Sequence, residues 1–389
     1  MRKVLVLGAG IYQVPLIKAA KRMNLYTMVA SVPGAYPGFA CADKAYLLDT
    51  TDQIAILRLA REEKIDAIAT CGTDVAIRTL GTVCEELGLA GVSRKCSRLC
   101  TDKAEMKLAL EKAGVRTAPF CRVTNAGQAL EAAERLGWPV MFKAPDSSGS
   151  RGIRGVRGPE EAEQAFEYAK KYSHGGHILV EQYLLGHEIG VDGCTWDGNI
   201  RFWPHDKLVH FNGYTNVPVG HVIPFSLTEE QHKDLEQQVV RAVHALEIDR
   251  SFFNMDVMLT AEGASIIEVG ARIGATCIPE LISAVSGFDC YEAILHYALG
   301  ETPPVPDKIQ GAAAAQLICA PREGRFTAIK GLAEIEDVTW TLDVRPGDPI
   351  HRFQVGPDRI GHILACASDA EKARKKLGQV VRTMKIIYQ

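Results

Sequence analysis

Two carboxylates and a guanidinium stand close together in residues 251–276, SFFNMDVMLTAEGASIIEVGARIGAT. The segment reads as two predicted strands, Phe253–Thr260 and Ser265–Val269, joined by the turn Ala261-Glu262-Gly263-Ala264. Apolar runs on either side of a Gly-containing connection are a hairpin signal. Antiparallel partners face one another, so a hairpin centred near Glu262 places Asp256 opposite Glu268, with the register free to slip by one residue until the turn type is known. Adjacent carboxylates repel unless a cation neutralises them, and Mg²⁺ is commonly held by one or two carboxylates together with substrate phosphates. Arg272 follows between Gly270 and Gly274, where backbone and ligand can approach closely. Taken alone, the pattern equally suits a surface hairpin with two solvated acids and a solvated arginine.

A second group lies upstream. A predicted strand, Trp138–Ala144, ends with Lys143 and leads into Pro145-Asp146-Ser147-Ser148-Gly149-Ser150-Arg151-Gly152. Ser/Gly-rich loops present backbone N–H groups to phosphates, and a cation in an otherwise apolar strand wants an anion. The loop lacks the G-x-x-x-x-G-K-[ST] spacing of a P-loop; a plain flexible connection is the alternative. His221 lies in Pro218-Val219-Gly220-His221-Val222-Ile223-Pro224, inside a predicted polar loop, Asn212–Ser226, where an exposed histidine is the simplest expectation.

The elements that must carry these groups alternate. Predicted strands Val4–Leu7, Tyr26–Ala30 and Ile65–Ala69 interleave with helices Val14–Met23, Ile54–Glu63 and Val75–Leu87, a βαβ rhythm that implies a covered parallel sheet. Gly8 and Gly10 suggest a dinucleotide fingerprint, but Gln13 stands at the third glycine and the second strand ends Val29-Ala30-Ser31 without a ribose-binding acid. A tight turn with helix packing is the better reading, which leaves an NAD-dependent oxidoreductase weakly supported. Asp102 caps a predicted helix Lys103–Lys112, followed by a strand Phe120–Val123 and a helix Ala126–Leu136. Next come a helix Glu160–Lys171 and strands His177–Leu184 and His187–Asp192. The helix Leu227–Leu246 precedes the hairpin, helices near Pro279–Val285 and Asp289–Leu299 follow it, and a basic helix Ala370–Leu377 lies near the end. At 389 residues two or three domains are expected. A net charge of −3 argues against nucleic-acid or membrane partners, and no apolar run is long enough to span a bilayer. The start MRKVLVLGAG reads as a first strand, not a signal peptide. Eleven scattered cysteines without a C-x-x-C pair fit reduced thiols in the cytoplasm.

Together, Asp102-Lys103, Lys143 with its Ser/Gly loop, Glu181-Gln182-Tyr183-Leu184, Glu188, and Asp256 with Glu268 and Arg272 resemble the ATP-grasp superfamily of carboxylate–amine ligases, over almost the whole chain. The resemblance implies an α/β fold with a pre-domain at 1–95, an ATP-grasp domain at 96–302 whose lid spans about 115–185, and a C-terminal α+β region at 303–389. It implies ATP with Mg²⁺ or Mn²⁺ as cofactors, small-molecule carboxylate and amine substrates, and a homodimer. By the same resemblance Lys103 and Lys143 contact ATP phosphates and the loop with Ser147, Ser148, Gly149, Ser150 and Gly152 closes over them. Glu181, Gln182, Tyr183 and Leu184 form the hinge that hydrogen-bonds adenine through its backbone, and Glu188 accepts from the ribose hydroxyls. Asp256 and Glu268 hold the metal, Arg272 binds the carboxylate or acyl phosphate, and His221 sits beside the substrate as in amino-acid ligases. One departure is Gly270, where the family often has Asn. The implied reaction turns a carboxylate into an acyl phosphate that an amine attacks, releasing ADP and phosphate. A bicarbonate-activating carboxylase of the same fold and a non-catalytic nucleotide-binding protein are the alternatives.

Overall fold

A computed structural model describes all residues except 148–150, 212–215, 304, 307, 333 and 334. The N-terminal alternation forms β1 (Lys3–Leu7), α1 (Val14–Arg22), β2 (Tyr26–Ser31), β3 (Lys44–Leu47), α2 (Gln53–Glu63), β4 (Ala67–Ala69) and α3 (Ile77–Leu87). Its four strands make a parallel sheet in the order β3-β2-β1-β4. Gly8 turns the chain at φ +100, and a Cβ there would meet Gln13 Oε1 at 3.0 Å. Gln13 is buried; its Oε1 accepts from the Gly10 N–H at 3.0 Å and its Nε2 donates to the Cys71 carbonyl at 2.6 Å. The residue in the place of the third glycine thus folds its side chain back onto the turn and ties it to the end of β4.

The second group comprises α4 (Arg94–Leu99), α5 (Lys103–Lys112), β5 (Phe120–Val123), α6 (Ala126–Leu136), β6 (Val140–Lys143), β7 (Ile153–Val156), α7 (Pro159–Lys170) and β8 (Ile178–Gln182). Asp102 caps α5 by accepting from Ala104 and Glu105 N–H, and Asn125 caps α6 by accepting from Gln128 N–H. The antiparallel sheet β5-β8-β6-β7 packs Val140, Phe142 and Val180 against Ala129, Ala133 and Phe166 of α6 and α7.

The rest contributes β9 (His187–Trp196), β10 (Asn199–Phe211), β11 (Asn216–Ile223), α8 (Glu229–Ala245), β12 (Ser251–Thr260), β13 (Gly263–Gly270), α9 (Ile278–Ser286), α10 (Cys290–Ala298), β14 (Ala312–Ile318), β15 (Gly324–Lys330), β16 (Val338–Leu342), β17 (Pro349–Ile350), β18 (Gly361–Ala367), α11 (Ala370–Thr383) and β19 (Lys385–Tyr388). One eight-stranded sheet runs β13-β12-β9-β10-β11-β14-β18-β16, and β17-β15-β19 form a smaller one. Phe253, Met255, Val257, Ile266 and Val269 of the β12–β13 hairpin share a core with Leu235, Val239, Ala242 and Val243 of α8. Each such buried side chain stabilises the fold by about 1.5–3 kcal/mol, which commits Asn254 and Asp256, the alternate residues of β12, to the opposite face.

The expected loop Asn212–Ser226 differs from the structure. Asn212–Thr215 lie outside the described residues, but 216–223 form β11, hydrogen-bonded to both β10 and β14. Pro218 and Gly220 suggested a loop for reasons that have other causes here. Pro218 sits at a register irregularity beside Val209, where the missing N–H is tolerated. Gly220 is where a Cβ would lie 2.1 Å from the Ala315 carbonyl oxygen. His221 is therefore a buried strand residue instead of an exposed loop residue.

Candidate functional site

The hairpin pairs Asp256 with Glu268 as expected, by a different route. Thr260 faces Gly263, so the turn is centred between Ala261 and Glu262 and an unbroken ladder would set Asp256 against Ile267. A bulge beside Asp256 inserts one residue into β13 and restores Glu268 as the partner. Each acid meets a lysine. Glu268 Oε1 lies 2.8 Å from Lys103 Nζ at the start of α5, and Asp256 Oδ1 lies 2.5 Å from Lys207 Nζ on β10. Lys207 also reaches Glu188 Oε1 at 2.6 Å. Burial opposes the charge on Asp256, but Lys207 outweighs it and holds the carboxyl below its ordinary range. Burial likewise opposes the charge on Lys103, but Glu268 raises it. Among the described residues no three His, Cys, Asp or Glu side chains cluster into a metal site of their own. A hard cation here would take two carboxylates and rely on phosphate oxygens for the rest, the usual division for Mg²⁺.

One side of this row opens into a cavity of about 440 Å³ walled by Lys143, Glu181, Gln182, Tyr183, Leu184 and Glu188. Glu181 is 2% exposed, and its Oε2 lies 2.8 Å from Lys143 Nζ and 3.3 Å from Lys107 Nζ. Burial works against this carboxylate, yet the two lysines hold it below its ordinary range. Lys107, itself 1% exposed, donates to Thr117 Oγ1 and to the Ala118 carbonyl; burial pushes its ammonium down to about 8. The side chain of Glu181 thus anchors lysines, while Gln182 and Tyr183 N–H groups are taken by the Pro119 and Pro139 carbonyls. Leu184 follows as the next backbone donor on the cavity wall. The Ser147 carbonyl accepts from Lys103 Nζ at 2.7 Å. Gly152 turns at φ +69, where a Cβ would press on Ala144 and Tyr172 at 2.8 Å. The intervening Ser148, Gly149 and Ser150 lie outside the described residues.

The other side opens into a cavity of about 700 Å³ that draws on distant parts of the chain: Tyr12 and Gln13 after β1, Asp74 after β4, and His205, His221 and Arg272 on and beside the large sheet. Lys207 and Pro218 line both cavities. Arg272 Nη2 pairs with Asp74 Oδ2 at 2.7 Å. Burial opposes its charge, but Asp74 more than compensates and raises its pKa. Asp192 is 0% exposed and gathers three donors: Gly274 N–H at 2.6 Å, Asn254 Nδ2 at 2.7 Å and His205 Nε2 at 3.0 Å. Asn254 faces Gly270 across the hairpin, so an amide does stand beside the departure noted in the sequence, supplied by the opposite strand. His221 packs edge-on against His205, ring centroids 4.7 Å apart. Burial first, then His205 and Lys207, push its pKa well below the ordinary value.

Five groups in or directly behind these walls escaped the sequence reading: Asp74, Lys107, Asp192, His205 and Lys207. Lys107 lies one helical turn beyond Lys103, so the two share a face. Lys207 is a cation inside a strand, the signal that singled out Lys143. The other three meet only through the tertiary fold.

Residues 102–304 match the family described as carbamoyl-phosphate synthase L chain, ATP binding domain, and residues 316–389 match L-amino acid ligase C-terminal domain 2. The formate-dependent phosphoribosylglycinamide formyltransferase of Sulfurisphaera tokodaii is 26% identical over 400 residues, covering 96% of this chain and 94% of that protein. Phosphoribosylglycinamide synthetase from Anaerococcus prevotii shares the fold with a TM-score of 0.85 at 28% identity, over 100% of both chains. L-amino acid ligase from Bacillus licheniformis does so with a TM-score of 0.83 at 20% identity, over 100% of this chain and 99% of that one, a likeness that speaks for the fold. With more than half of its length inside that ATP-binding domain, the chain belongs to the carbamoyl-phosphate synthase L chain family of ATP-binding domains and is an ATP-grasp, ADP-forming ligase of carboxylates and amines.

Proposed function

We propose that the two cavities hold the two halves of one reaction, ATP in the smaller and the acid and amine in the larger. The observation that carries this reading is their junction: both are lined by Lys207, whose ammonium touches Asp256 beside Glu268. Lys103 and Lys143 then neutralise the phosphates, Gln182–Leu184 face adenine, Glu188 accepts from the ribose, and the segment from Ser147 to Gly152 covers the phosphates. Glu181 serves by anchoring Lys143. Asp256 and Glu268 would hold Mg²⁺ against the phosphates, and the ion, when bound, neutralises charge on the transferring group. Arg272 keeps the acid substrate beside the γ-phosphate; its planar fork matches carboxylate oxygens and stays charged. Attack by the acid on that phosphate makes an acyl phosphate, and attack by an amine makes the amide. Positioning and charge neutralisation supply the rate.

The substrates we assign are amino acids. The match of residues 316–389 to the L-amino acid ligase domain favours them, and so does the pairing of Arg272 with Asp74 in a cavity that also presents Tyr12, Tyr36 and Ile278. A guanidinium beside a carboxylate suits the two opposite charges of a zwitterion. We divide the chain functionally at 95 and 302 and take about 115–185 as the moving lid. We assign it to the cytoplasm because all eleven cysteines are free; among the described residues no helix is long and apolar enough to cross a membrane. Leu47 on β3 and Ile54 on α2, 63% and 74% exposed, favour a homodimer through that edge.

The decisive experiment assays ADP release with Mg²⁺-ATP and the standard L-amino acids, singly and in pairs, with hydroxylamine added in parallel. Pair-dependent ADP release and a trapped hydroxamate are expected. Products of AMP and pyrophosphate would overturn the acyl-phosphate route.

A further inference from the structure

Asp192 and His205 have no part in holding nucleotide, metal or acid in the reading above, yet His205 lines the larger cavity and Asp192 is hydrogen-bonded behind it, both almost fully enclosed. His205 is 1% exposed and Asp192 0%. The Asp192 oxygens accept from Gly274, Asn254 and His205. A carboxylate that accepts from Nε2 leaves the imidazole protonated there, so Nδ1 is an acceptor. That Nδ1 is buried and has no hydrogen-bond partner. Unsatisfied buried acceptors are destabilising, and one in the wall of a substrate cavity marks a place for a donor that arrives with the substrate.

The backbone is shaped for this ring. In the sheet Asp256 faces Gly190 and Gly190 faces His205. A Cβ on Gly190 would lie 2.0 Å from His205 Cε1. The imidazole therefore lies over the one bare position between its own strand and Asp256. Strands are about 4.8 Å apart, so the ring leans across that interval toward the carboxylate row. His221 closes the other side of the ring edge-on. The charged and titratable groups facing His205 are thus Asp192 on β9, Lys207 on β10, His221 on β11 and Asp256 on β12.

An amine substrate enters as its ammonium form, which has no lone pair with which to attack. We propose that His205 is a further catalytic residue whose Nδ1 takes one proton from that ammonium, with Asp192 as the positioning residue that fixes its tautomer and Gly190 as the gap that admits its ring. The freed nitrogen lone pair forms the C–N bond to the acyl carbon. The C–O bond to phosphate breaks with its electron pair on phosphate, which takes up the second nitrogen proton; His205 returns the first to solvent. No oxidant or further reactant is involved. The proposal rests on the ligase reading above.

Hydroxylamine tests it, because it is already unprotonated at neutral pH and needs no base before attack. With Mg²⁺-ATP and the standard L-amino acids, His205→Gln should lower amide formation by about 10²-fold or more, lower hydroxamate formation far less, and recover amide formation as pH rises and free amine accumulates. Asp192→Asn and Gly190→Ala should show the same selectivity; they keep the test open if His205→Gln fails to fold. Equal losses with both acceptors, or amide formation unchanged in His205→Gln, would overturn the proton-accepting role. Absence of hydroxamate from the wild-type protein would instead remove the ligase reading, and this role with it.

Discussion

The two cavities that meet at Lys207 are held together by different means. Around the smaller one and along the row between the two, charges meet in pairs at short range: Glu181 with Lys143 and Lys107, Glu268 with Lys103, and Lys207 with Glu188 and Asp256. Around the larger one, Arg272 reaches Asp74 from 198 residues away, and the imidazoles of His205 and His221 keep Nδ1 atoms without partners. On the reading proposed above, the first region receives a polyanion of fixed charge, and the Nδ1 atoms of the second await groups that the substrate brings. The difference is one of sequence distance: Lys143 and Glu181 stand 38 residues apart, Arg272 and Asp74 198.

Removing the row between the cavities should do most damage. Asp256→Ala or Glu268→Ala should cut Mg²⁺-dependent ADP formation by about 10³-fold while circular dichroism stays native; near-normal turnover in either would show that the hairpin is not the metal site. Arg272→Lys keeps the charge and loses the fork, so turnover should fall about 10²-fold with ATP affinity close to wild type. A matching loss of ATP binding would move Arg272 to the other cavity. Lys143→Ala removes a charge-assisted contact of about 1.5–3 kcal/mol, so the Kd for ATP measured by calorimetry should rise about tenfold to a hundredfold, with the fold kept by Lys107 on Glu181. His221→Ala should slow amide formation about tenfold and leave ATP affinity alone; unaltered steady-state constants would return His221 to a packing role.

The smallest effect concerns Lys107. Its folded value of about 8 lies below the value of about 10.4 expected for an unfolded lysine. Between those pH values the unfolded chain binds more protons, so folding stability from this group rises with pH. Compared with Lys107→Met, the wild type should gain in Tm as pH is raised from about 8 to about 10. A flat difference would mean that Glu181 keeps Lys107 charged throughout.

Local signals were readable in the sequence wherever a cap, a breaker or a period-two pattern decided the outcome. Helix α5 and strand β5 have the predicted bounds because Asp102 and Gly114 punctuate α5 and the Asn125 cap of α6 follows closely on β5. Helix α6 likewise has its predicted bounds, between Asn125 and Gly137. The facing of Asp256 and Glu268 was anticipated, but only because an estimate one half-residue off at the turn was offset by a bulge that no local rule announces. In β11 the local rules misled: Pro218 and Gly220 punctuate nothing and answer to strands β10 and β14. Asp192 and His205 could not be joined on paper, since their contact depends on β9 and β10 being paired in one particular register.

The eight-stranded sheet does not stop where the ATP-binding domain stops. Strand β11 is sealed on its outer side by β14, from Gly220 against Gln316 to Ile223 against Ala313. A chain cut near residue 302 would therefore expose the strand edge Gly220–Ile223, whose backbone N–H and C=O groups have lost their partners, next to apolar Val219, Val222 and Ile223. Such an edge recruits further chains. The last eighty or so residues thus act as a stopper against self-association of the catalytic half, and a truncated protein should gather into aggregates even where each of its own elements can still form.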